Sequence, residues 1–90
     1  MAHQVYFVTA LSKPSAVAER LPEVIPDEGM IYKLANDKWF VVYDGISREL
    51  AEKLGMRGDP FISSGLVLPV SSYSGRAPTD LWEWLRLRME

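Results

Sequence analysis

An α+β domain in the order β-α-β-β-α-β, with one further helix at its C-terminal end, is the fold class that these 90 residues predict. Three observations carry it. The run Trp39-Phe40-Val41-Val42-Tyr43 and the alternating run Met30 to Leu34 flank Ala35-Asn36-Asp37-Lys38, and together they read as a hairpin in mid-chain. A segment of helical apolar spacing lies on either side of that hairpin, between it and one further strand-like run. Ninety residues leave no room for a second core, so residues 1–90 are expected to form a single domain.

The first strand is Gln4 to Thr9, rich in β-branched and aromatic residues and apolar on both faces. Ser12 is placed to cap the first helix, with Pro14 tolerated in its first turn. Val17, Leu21, Val24 and Ile25 supply the buried spacing, while Pro22 predicts an end or a kink near Leu21. In the hairpin, Met30, Tyr32 and Leu34 share one face and Lys33 takes the other. Ser47 is expected to cap the second helix, whose stripe is Ile46, Leu50 and Leu54. Gly55 ends that helix in the left-handed conformation and Met56 packs back on it. Residues 57–65 read as a polar loop with one apolar anchor, Phe61-Ile62, and with Asp59 in a turn. Leu66 to Ser71 is the fourth strand, confined to an edge by Pro69. Thr79 or Asp80 caps a last helix that runs to about Met89.

This order resembles the ferredoxin-like α/β plait, whose antiparallel sheet runs 4-1-3-2 with both crossover helices on one face. The strands apolar on both faces are the first and third, the two that this order places centrally. Pro69 and Lys33 fall in the two edge strands. The plait leaves its second sheet face without a helix, although the central strands carry large apolar side chains there. The third helix, a second copy of the chain or a ligand is expected to cover it.

Composition narrows the chemistry. The net charge is -2 and the pI about 5.4, which supplies no global field for nucleic acid and disfavours it as a partner. There is no cysteine, so disulfides, thiol nucleophiles and thiolate metal sites are excluded. Residues 1–8 lack a basic region followed by a long apolar stretch, and no run approaches a membrane span; a cytoplasmic address and no membrane partner are expected. The single histidine, His3, lies near the N-terminal end, and Asp44 sits in a turn beside Gly45. No serine has a base placed by sequence, and no metal-ligand spacing occurs, so neither a catalytic residue nor a cofactor or metal is assigned.

Two segments remain as candidate sites. Ser72, Tyr73, Ser74 and Arg76 precede a helix start, where free backbone N–H groups and the helix dipole favour an anion or nucleotide. Trp82 and Arg86, one turn apart, lie off the stripe of Leu81, Trp84 and Leu85. They either border the covered sheet or anchor a partner. The aromatic strand Lys38 to Tyr43, with Val5-Tyr6, resembles the sheet strands of RNA-recognition motifs, without the glycines of their longer motif. That resemblance implies stacked RNA; the alternatives are a small nucleic-acid-associated protein using Arg57, Arg76 and nearby aromatics, and an anion- or nucleotide-binding enzyme at the loop 71–76. The function these residues favour is a non-enzymatic protein-interaction or regulatory module, homodimeric or bound to another protein.

Overall fold

The computed structural model describes residues 3–58 and 61–89; Asp59 lies outside them. The elements are β1 (Gln4–Ala10), α1 (Pro14–Val24), a 3-10 turn (Glu28–Met30), β2 (Ile31–Ala35), β3 (Lys38–Tyr43), α2 (Ser47–Lys53), β4 (Gly65–Pro69) and α3 (Thr79–Met89). Together they make a small α+β structure with a four-stranded antiparallel sheet, ordered β2-β3-β1-β4. The two strands apolar on both faces are central, and Lys33 and Pro69 sit on the edges.

Alternation along the strands divides the apolar residues between two clusters. Tyr6, Val8 and Ala10 of β1 and Trp39, Val41 and Tyr43 of β3 point to one face, where Val17, Leu21, Leu50 and Leu54 of the crossover helices bury them. Val5 and Val42 point to the other face, under Leu81 and Leu85 of α3. Both helical crossovers therefore pack on one side and α3 alone packs on the other.

Several local details depart from the expectations. α1 does not end at Leu21 but continues one turn past Pro22 to Val24, closed by Ile25 N–H on the Leu21 carbonyl at 2.8 Å. Pro22 is exposed, so its ring points to solvent, and Leu21 and Ile25 bury enough surface to hold the last turn against the lost donor. The cap of α1 is not Ser12 but Lys13, which adopts left-handed geometry at φ 48°. The Ser12 hydroxyl instead accepts from Ser64 N–H at 2.9 Å and ties the loop before β4 to the end of β1. In α2 the buried pair is Leu50 and Leu54, whereas Ile46, at the cap position, is 63% exposed. Ser47 is the first helical residue, and the cap position belongs to Ile46, whose side chain supplies no cap bond. Gly55 does end α2 at φ 81°, with Ile62 packed where a β-carbon would stand, 3.0 Å away. The anchor of the following loop is thus Ile62, since Phe61 is 62% exposed.

Candidate interaction surface

The register lays the second sheet face out in rows. Val42, Val5 and Val70 form one row, since Val5 lies opposite Val42 and Val70 N–H donates to the Val5 carbonyl at 2.9 Å. The next row is Tyr32, Phe40, Phe7 and Leu68, and the third is Ala35, Lys38, Thr9 and Leu66, with the exposed Leu34 in the bulge just before Ala35. α3 lies on the first row through Leu81 and Leu85 and reaches the second at Tyr32 and Phe40. Beyond that the sheet is open. Leu66 is 50% exposed and Leu68 46%. The rings of Phe7 and Phe40 lie side by side at 5.0 Å, both half-buried. The aromatic residues on this face are therefore Phe7, Phe40 and Tyr32; Trp39 and Tyr43 point into the opposite core.

A short latch holds α3 in place. The Gly29 carbonyl accepts from Trp84 Nε1 at 3.0 Å and from Arg88 through Nε at 3.2 Å and Nη2 at 2.6 Å. The Arg88 guanidinium also lies over the Trp84 ring, 5.2 Å from its centre. Tyr32 is pushed above the ordinary phenol pKa of 10.0 by burial and by the nearby Asp80 carboxylate. Sequence spacing places Trp84 on the buried flank of the helix, but a single backbone carbonyl as the shared acceptor has no signature in residue type.

The structure joins the two candidate segments at one point. Tyr73 stacks on Trp82 with ring centres 5.5 Å apart and planes 22° from parallel. Trp82 is half-buried and packs against the second cluster, while Arg86, one turn on, is exposed. Ser72, Ser74 and Arg76 are all exposed. Among the described residues none of them bonds to the first turn of α3, where Leu81 and Trp82 N–H groups meet the Pro78 carbonyl. That turn also carries Asp80, whose negative charge opposes an incoming anion.

A second concave region lies on the opposite sheet face, between α1 and the outer edge of β2. It encloses about 400 Å³ and is lined by Ala18, Leu21, Pro22, Ile31 and Trp39, with Glu28 and Lys33 at its rim. At the other end of the chain's catalytic inventory, His3 and Asp44 are exposed. Among the described residues Ser63 Oγ is enclosed without a hydrogen-bond partner, and nothing in its surroundings there explains it. No group of three or more His, Asp or Glu side chains among the described residues could hold a metal ion. None of the described helices is long and apolar enough to cross a membrane. No protein-family model matches this chain, and no match was found among curated proteins or solved structures.

Proposed function

We propose that this chain is a non-enzymatic interaction or regulatory module of the ferredoxin-like plait kind, pairing with a second copy of itself through the open rows of its second sheet face. The plait reading is supported by the sheet order, since β2-β3-β1-β4 taken from the other edge is 4-1-3-2. A cytoplasmic setting agrees with the absence of cysteine. The observation that carries the function is the set Phe7, Phe40, Leu66 and Leu68, large apolar side chains aligned by register of which α3 reaches only Phe40, with the exposed Leu34 in the bulge beside them.

A second copy suits this surface on electrostatic grounds. The net charge of -2 gives little repulsion between copies. The cation within the open rows, Lys38, is already held by Asp37 at 3.1 Å. Two copies bury the five side chains twice. At ~1 kcal/mol per half-exposed side chain the gross gain is about 10 kcal/mol, and with an association cost of ~4, the low end of its range, the Kd is roughly 40 µM.

Sedimentation velocity over about 1 to 500 µM should show the mass doubling across that midpoint. Leu66→Glu with Leu68→Glu should stay monomeric and keep the wild-type melting temperature. A wild-type chain monomeric throughout overturns the reading, as does a double variant that still pairs. So does a monomer that binds fluorescein-labelled single-stranded RNA and loses it with Phe7→Ala, because the surface is then a base-stacking platform.

A further inference from the structure

The direction of the backbone groups shows what the β2 edge of the sheet offers. Ala10 N–H donates to the Asp37 carbonyl, so the even residues of β1 turn their amides to β3 and the odd ones to β4. By the same alternation Lys38, Phe40 and Val42 turn theirs to β2, and Tyr32, opposite Phe40, turns back to meet them. Ile31 and Lys33 therefore face outward. Ile31 N–H is taken by the Glu28 carbonyl. Three main-chain groups remain on the edge: the Ile31 carbonyl and both groups of Lys33.

The side chains of Ile31 and Lys33 border the apolar groove beside α1. Two residues of its lining, Ala18 and Trp39, carry polar groups without a partner among the described residues. Pro22 has no N–H, so the Ala18 carbonyl lacks its helical donor. Trp39, 2% exposed, forms part of the groove wall, and among the described residues its indole N–H has no hydrogen-bond partner. The only fully enclosed unpartnered side-chain atom among them is Ser63 Oγ, so the indole nitrogen of this wall residue is not sealed off. Lys33 lies opposite Trp39 in the register and takes part in neither of the ion pairs formed among the described residues.

We propose that this groove is a strand-addition site for an extended peptide segment of a partner protein, independent of the open sheet face. The peptide runs antiparallel to β2 and exchanges both hydrogen bonds with Lys33, then donates one to the Ile31 carbonyl. Residues paired in this way share a face, so the peptide side chains opposite Lys33 and Ile31 both enter the groove. The first meets the Lys33 ammonium and the Trp39 N–H, which selects an acidic residue. The second meets Leu21, Pro22 and Ile31, which selects an aliphatic one. The recognised pattern is acidic-x-aliphatic, kept short by the bulge between Lys33 and Ala35.

The test titrates the end-blocked peptide Thr-Glu-Val-Leu-Thr into the isotope-labelled full chain and follows its amide and indole resonances. Saturable shifts at the Trp39 indole N–H and the Ile31 to Lys33 amides are expected, with a Kd of about 0.1–1 mM. N-methylation of the peptide's Glu should abolish them. The exposed substitution Lys33→Glu should weaken this peptide about tenfold and favour its Glu-to-Lys counterpart. The proposal is overturned by silence at those resonances at millimolar peptide, by equal binding of the N-methyl peptide, or by indifference to Lys33→Glu. Shifts confined to Phe7, Leu66 and Leu68 overturn it too, and leave the pairing surface standing.

Discussion

Tyr6 ties the sheet to the loop before α2, its hydroxyl donating to the Gly45 carbonyl at 2.5 Å. Burial, then the neighbouring Tyr43 and Glu49, push its phenol above the ordinary 10.0. Because the folded state holds this proton more tightly than the unfolded chain, the contribution is complete below pH 10.0 and is lost as pH rises through the folded value. Tyr6→Phe should cost about 1 kcal/mol at neutral pH and flatten the alkaline fall in stability, measured by urea unfolding between about pH 8 and 11. A wild-type alkaline slope in the variant would contradict this. At this scale sequence reading is least secure. Ile46 and Phe61 are apolar yet exposed, and Ser12 bonds across to Ser64 rather than along its own helix. Residue type states what a side chain can do, while its surroundings decide which partner arrives first.

Elements were more legible. β3 and the hairpin follow from alternation and a two-residue turn, which are local facts. α1 outlasts its proline because Leu21 and Ile25 are buried, a tertiary gain that local propensity does not contain. α3 was visible as a helix, but its fastening was not, because the Gly29 carbonyl belongs to a turn some 55 residues upstream. That fastening is testable. Arg88→Ala removes two charge-assisted bonds to an exposed carbonyl and the contact with Trp84, and should lower the opening free energy of α3 by about 1–2 kcal/mol. Amide exchange at Leu85 should quicken by roughly 5- to 30-fold while Val8 in β1 stays unchanged. Arg88→Lys should restore little of this, lacking the planar fork. Equal acceleration in both elements would mean that α3 and the sheet open as one unit.

In the molecule as a whole, the candidate site became readable only through register. Sequence alternation shows that β1 and β3 are apolar on both faces, but which rows α3 covers depends on where its axis falls. The candidate residues Ser72, Ser74 and Arg76 are separated from the stacked pair Tyr73 and Trp82 by the simple fact that they point to solvent. Ending the chain after Val70 should expose the valine row together with Tyr32 and Phe40. The expected outcome is loss of soluble monomer and strong binding of an apolar dye, read by gel filtration and fluorescence. A truncated chain that remains monomeric with the full-length melting temperature would show that α3 adds nothing to the sheet.

Pro69 has a consequence of another kind. Val70 N–H bonds inward to Val5, so by alternation the nitrogen of Pro69 faces outward, and its missing hydrogen costs the sheet nothing. The gap falls on anything that arrives from outside. A chain with two receptive edges propagates head to tail without end, as fibrils do. Here a strand arriving at the β4 edge finds the outward groups of Val67 and the Pro69 carbonyl but no donor at Pro69, so it pairs there with one hydrogen bond fewer.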